Sequence, residues 1–203
     1  MSKTQHRYFV LNKPHGMLSQ FVSERVDRLL GDITFDFPEG IHAIGRLDKE
    51  SEGLLLLTNN KKITSLLFQS KVAHKRTYLV QARHEMNRES LEQLRNGVFI
   101  RIRGGGAMYK TPPCEVNIIN PPAELFPLPF PKTEYYATTW LEITLEEGRY
   151  RQIRKMMTAV RHRTERLIRT SIEDLHLGDL QPGCIRELDE ATFFRQLKLS
   201  TDL

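Results

Sequence analysis

"GRLDKESEGLLLLTNN", Gly45 to Asn60, sets an Arg-Leu-Asp tripeptide and two further acids, Glu50 and Glu52, directly ahead of four consecutive leucines. An unbroken apolar run between charged segments reads as a strand covered on both faces. A carboxylate beside such a strand stands in a fixed place, where burial pushes it toward the protonated form and a nearby guanidinium holds it ionised. The stretch thus sets a carboxylate close to a buried strand, with an arginine two residues before it.

Outward from it, "RYFVLNKP" (Arg7 to Pro14) is a β-rich run stopped by Asn-Lys-Pro, Gly31 to Gly40 reads as a loop, and "IHAI" is a strand before the Arg-Leu-Asp turn. Asn60 is placed to cap a helix with Ile63, Leu66, Leu67 and Ser70 on one face, and "RTYLVQA" returns as a strand. "NRESLEQLRNG" is a helix with Asn87 as its cap, Leu91 and Leu94 inward, and Gly97 at its end. Gly104, Gly105 and Gly106 match no phosphate-binding fingerprint and suit a hairpin connection. Pro112 to Pro131 holds seven of the ten prolines and predicts an extended loop, whose Phe126, Phe130, Tyr135 and Tyr136 either stack on bases or close a lid against the core.

"TWLEITLEE" alternates strictly, with Leu141, Ile143 and Leu145 on one face, which predicts a half-buried antiparallel strand. It leads into "RYRQIRKMMTAVRHRTERLIR", Arg149 to Arg169, which carries eight cations and one acid, Glu165. Ile153, Met156, Met157 and Val160 keep helical spacing there and are expected to dock on the sheet. "CIREL" is a last strand, before a short helix around Phe193 and Phe194. Strands and helices without a strict βαβ rhythm give an α+β protein on a largely antiparallel, mixed sheet.

The 203 residues, 39% hydrophobic and 27% charged, suffice for a core, and no apolar run approaches a membrane span of roughly 18 residues. The N-terminus has no secretory h-region, and two cysteines far apart suit a reducing cytoplasm. The basic stretch is +7 in a chain of net charge +5, so the remainder is near neutral. Such a stretch either binds a polyanion or is a solvated helix face.

"GRLDKESEGLLLLTNN", "EGRYRQIRKM" (Glu147 to Met156) and "LHLGDLQPGCIREL" (Leu175 to Leu188) together resemble the RNA pseudouridine synthases of the branch that acts on ribosomal RNA, over most of the chain from Tyr8 to Leu188. "SEGLL", "LRNGV" at Leu94 to Val98, the proline-rich stretch and "TWLEITL" are most similar to members acting on the large ribosomal subunit. The resemblance implies a single catalytic domain over residues 1–203, built as two closely joined lobes around an RNA-binding cleft. The S4-type module common ahead of it is expected to be absent, because "YFVLNKPHGMLSQF" begins almost at once.

It further implies a cofactor-free, metal-free isomerisation of uridine to pseudouridine in 23S ribosomal RNA or the assembling large subunit, by a cytoplasmic monomer without membrane contact. Asp48 is the implied catalytic carboxylate, Arg154 its cationic partner, and Tyr78 the aromatic that stacks on uracil and assists proton removal from C5. Arg46 is implied to enter the space vacated by a flipped-out base. RNA contacts are expected from Arg46, Arg76, Arg149, Arg151, Lys155 and Arg161. The family's Lys-x-Tyr is here Arg76-x-Tyr78, and Arg and Lys hold phosphate with different geometry.

Plainer readings stand beside these. Arg46 pairs with Glu50 or Glu52, or Tyr78 is a core tyrosine. Asp48, Glu50 and Glu52 as metal ligands lack a joining histidine or acid cluster, and a glycosidase would need a second opposed carboxylate. A non-catalytic ribosome-assembly factor, or a synthase for 16S ribosomal RNA or tRNA, would share much of the pattern.

Overall fold

The computed structural model describes residues 6–68, 72–102, 106–123, 125–128 and 136–200. Ser70, Gly104, Gly105, Phe130 and Tyr135 lie outside them. In chain order the first elements are β1 (Tyr8–Lys13), β2 (His42–Ile44), β3 (Glu52–Thr58), α1 (Ile63–Phe68), β4 (Arg76–Arg83) and α2 (Arg88–Asn96). There follow β5 (Phe99–Arg101), β6 (Met108–Lys110), β7 (Glu115–Ile119), β8 (Thr138–Leu145) and α3 (Gln152–Ala159). The last are β9 (Thr164–Ile172), β10 (Leu175–His176), β11 (Ile185–Leu188) and α4 (Glu190–Gln196). This is the α+β pattern expected, with strand pairing mostly antiparallel.

The chain divides into two units, Met1–His74 with Arg169–Leu203, and Lys75–Ile168. In the first, β1 runs antiparallel to β3 from Tyr8 opposite Thr58 to Lys13 opposite Gly53, and its other edge pairs with β11. Every residue of β1 and β3 is buried. Leu54, Leu55, Leu56 and Leu57 each add about 1.5–3 kcal/mol by leaving water. Helix α4 starts where the Asp189 side chain accepts from Thr192 N–H at 2.8 Å, and its Phe193 ring lies 4.6 Å from the Tyr8 ring. The Tyr8 hydroxyl donates to Glu190 Oε2 at 2.6 Å and accepts from Asn60 Nδ2 at 3.0 Å; burial first, then that carboxylate, pushes its pKa up to about 12.

In the second unit, β8 runs antiparallel between β4 and β7, with Tyr78 opposite Ile143 on one side and Val116 opposite Ile143 on the other. Leu141, Ile143 and Leu145 point inward as their alternation requires, and Ile153, Met156, Met157 and Val160 of the α3 segment join the same core. The Asn87 side chain caps α2 by accepting from Ser90 N–H at 2.8 Å.

Two expectations are corrected. The proline-rich stretch is not all loop, because the proline-free "EVNII" pairs with β8 as β7, an edge position compatible with prolines at either end. The stretch to Arg169 is not one exposed stripe either: β9 takes up its end and buries Arg166 and Arg169.

Gly97 ends α2 with φ +83°, and a Cβ there would land on the backbone carbonyl oxygen of Thr111. That residue closes the β5–β6 approach, since Thr111 Oγ1 accepts from Val98 N–H at 3.0 Å and Thr111 N–H donates to Val98 O at 2.9 Å. Gly97→Ala is therefore expected to destabilise by about 2–4 kcal/mol, combining positive-φ strain with overpacking. A urea midpoint equal to wild type would contradict this.

Candidate active site

The Arg46–Ser51 turn belongs to the first unit. Gly45 enters it with φ 69°. Leu47 is buried, Asp48 is half-buried between it and the exposed Lys49 and Glu50, and Ser51 N–H donates to Asp48 O at 3.0 Å, closing the turn before β3. Lys49 O accepts from Gly16 N–H at 2.8 Å, so the turn is also fixed to the chain just after β1.

Lys13, at the end of β1, lies beneath this turn and is fully buried. Its Nζ donates to Met17 O at 2.7 Å, Pro14 O at 2.9 Å and Lys49 O at 3.4 Å, one acceptor for each proton of an ammonium. Burial pushes its pKa down to about 8, opposed by the charges of Glu52, Glu50 and Asp48. The sequence reading passed over Lys13, seeing only the strand-stopping "NKP"; a lysine aligned with the last residue of a wholly buried strand was the available signal.

Arg46 is exposed and donates from Nη2 to Gln20 Oε1 at 3.0 Å. Tyr78, Arg76, Arg149, Arg151, Arg154, Lys155 and Arg161 are carried by the second unit. Tyr78 is half-buried, with its ring against the hydrophobic core. Arg154 is half-buried on α3. Arg76 is buried, with Nη1 3.5 Å from Glu146 O.

Arg149, Arg151 and Lys155 lie at the start of α3. The Arg149 guanidinium carbon sits 3.6 Å from the Tyr109 ring centre, and Tyr109 Oη donates to Glu147 Oε2 at 2.7 Å. Gln152 ties this together, donating from Nε2 to Glu147 Oε1 at 2.6 Å and accepting from Arg149 N–H at 2.9 Å. Lys155 Nζ lies 5.3 Å from the ring centre of exposed Tyr150, and Arg151 takes φ 53° as α3 begins. Arg161 is exposed just beyond the far end of that helix. Tyr136 is stacked under Arg83, 4.2 Å from guanidinium carbon to ring centre, and Phe126 is half-buried. Among the described residues, no group of three or more His, Cys, Asp or Glu side chains could hold a metal ion, and no helix is long and apolar enough to cross a membrane.

Residues 7–159 match the family model described as RNA pseudouridylate synthase. A relative from Vibrio parahaemolyticus named ribosomal large subunit pseudouridine synthase E is 38% identical over 184 residues, covering 90% of this chain and 74% of the relative. One of the same name from Xanthomonas axonopodis pv. citri is 38% identical over 177 residues, covering 85% and 89%. A crystal structure of a pseudouridylate synthase superposes with a TM-score of 0.76 at 26% identity, covering 97% of this chain and 76% of that one.

Lys13 has a pH signature. Its folded pKa is about 8 against an ordinary 10.5, so between those values the unfolded chain binds the extra proton and stability rises with pH. The rise is on the order of 3 kcal/mol. Lys13→Met is expected to lower stability at pH 7, through the loss of its hydrogen bonds to Pro14 O and Met17 O while Lys49 O keeps Gly16 N–H, and to abolish this rise. Urea unfolding of both proteins from pH 7.5 to 10.5 checks it; parallel profiles would refute the assignment.

Proposed function

Because the chain belongs to the RNA pseudouridylate synthase family, we propose that this isomerase acts on a uridine of 23S ribosomal RNA in the large subunit, with Asp48 as the reacting carboxylate. The relatives named for the large ribosomal subunit support the choice of RNA. The observation that carries the choice of residue is the Asp48 turn, hydrogen-bonded to the end of β1 and closed on itself directly before a buried strand.

The chemistry breaks the bond between N1 of uracil and C1′ of ribose, turns the base and forms a bond from C5 to C1′. A proton leaves C5 and N1 gains one, so atoms and electrons balance without a co-reactant. Asp48 attacks the nucleoside or removes a sugar proton as a carboxylate, and Arg154 is the cation proposed to serve the same reaction. Tyr78 offers uracil an aromatic face, backed by the core, and a hydroxyl to assist at C5. The uridine is extruded first, at a cost of a few kcal/mol, and Arg46 occupies the space it leaves. Arg149, Arg151, Lys155 and Arg161 hold phosphates along the approach.

Asp48→Asn is expected to bind ribosomal RNA with wild-type affinity on a gel while tritium release from 5-tritiated uridine stops. Release at the wild-type rate would remove Asp48 from the chemistry. An intact protein that binds unmodified RNA and converts no uridine in a single turnover would instead be an assembly factor. Joint replacement of Arg149, Arg151 and Arg161 by alanine is expected to flatten the slope of log affinity against log salt by about 2–3, from roughly 0.7–0.9 per lost phosphate contact. An unchanged slope would take them out of the interface.

A further inference from the structure

We infer that Ser19 is a positioning residue for the reaction, fixing the backbone that carries Asp48 from a loop with no catalytic group of its own. This rests on the assignment of Asp48 above.

The loop runs from Met17 to Leu30 and doubles back on itself. Met17 bridges Arg28, Leu18 N–H donates to Arg28 O at 2.9 Å, and Leu30 N–H donates to Gln20 O at 3.0 Å. Its start is pinned from below, because Met17 O accepts from the buried Lys13 ammonium at 2.7 Å. From this closed loop three side chains reach three residues of the Asp48 turn. Gln20 accepts from Arg46 at 3.0 Å, and Asp27 Oδ1 pairs with Lys49 Nζ at 2.6 Å. Between them, the Ser19 hydroxyl accepts from Leu47 N–H at 3.0 Å and donates to Leu47 O at 2.9 Å.

The three grips differ in kind. Those on Arg46 and Lys49 are exposed, and exposed polar contacts of long side chains contribute little. The grip on Leu47 is buried, with Ser19 6% exposed, and it satisfies both backbone groups of one residue through a single hydroxyl. Removing that hydroxyl leaves a buried donor and a buried acceptor unmade together. The chain relieves this by shifting Leu47, and the next residue is Asp48. A displacement near 1 Å of a reacting group costs on the order of 100-fold in rate, whereas RNA affinity, spread over many phosphate contacts, is untouched.

The test compares Ser19→Ala, Ser19→Thr and Asp48→Asn in single-turnover pseudouridine formation at saturating ribosomal RNA, with gel-shift affinity and thermal midpoint measured for each. The expected result is a rate 10- to 100-fold down for Ser19→Ala at unchanged RNA affinity in a protein folded at the assay temperature. Ser19→Thr, which keeps the hydroxyl, restores most of the rate. A wild-type rate for Ser19→Ala, or rate and affinity falling together, overturns the inference; turnover by Asp48→Asn would overturn the assignment of Asp48 instead. If Ser19→Ala is unfolded, Ser19→Cys, with similar shape and a weaker donor and acceptor, is read by the same criteria.

Discussion

The pairing of β1 with β3 is the constraint from which the rest follows. Both strands are buried along their whole length, so no apolar-polar alternation fixes their register, and a slip of one residue would cost little in hydrophobic burial alone. Polar pins at the two ends fix it instead. At one end the Tyr8 hydroxyl meets Asn60 and Glu190. At the other, Asn12 donates from Nδ2 to Leu180 O at 2.6 Å, and Lys13 spends its three protons on carbonyl oxygens, one of them in the Asp48 turn. Arg169 adds a lateral pin, donating from Nε to Leu54 O at 2.8 Å. Each pin is a buried polar group that is costly to leave unmatched, so a slipped register is penalised where the apolar residues would allow it. The position of Asp48 is a consequence of that register.

The cations divide by burial into two kinds with different work. Arg76, Arg166 and Arg169 lie inside, Arg76 and Arg169 with guanidinium nitrogens directed at the carbonyl oxygens of Glu146 and Leu54. Arg149 and Arg161 lie outside, Arg151 and Lys155 at half depth. The Arg149 guanidinium is already ordered by Tyr109 and Glu147, so on the proposed RNA contact its side-chain entropy has been given up on folding. Its contact with Glu147, at 3.4 Å on an exposed rim, is weak enough to be exchanged for phosphate at small cost.

Much of this was legible from residue order. The doubly buried strand, the alternating strand at Leu141–Leu145, the Asn87 cap and the Gly97 stop all follow from local rules that tertiary contacts did not override. β7 was hidden because prolines on both sides outweighed five residues of modest β character. β9 was hidden because charge density was read as surface, whereas its arginines are buried. Asp48, Tyr78 and Arg154 were named through resemblance, since nothing in their spacing alone distinguishes them from structural residues. Lys13 left only its place at the end of a buried strand, and Ser19 left no trace. They act by contacting backbone 28 to 36 positions away, and a backbone group looks the same whatever its residue.

On the proposed chemistry, neighbouring residues of one turn have opposite requirements. A base that is cut free and rejoined through a different atom must meet the same carboxylate twice, so Asp48 gains from immobility. A guanidinium that enters the space of an extruded base must leave its resting partner, so Arg46 gains from release. The turn meets both requirements by burial. Leu47, on one side of Asp48, is held by two buried bonds to Ser19, and Lys49 O, on the other side, by Gly16 and the buried Lys13. Arg46 is held, among the described residues, by an exposed bond to Gln20, for which water or phosphate competes on nearly equal terms. A mobile turn would lose the first property, and a fully buried one the second. One stationary and one releasable group two residues apart require the boundary between protein interior and solvent to pass through the turn itself, between Arg46 and Leu47.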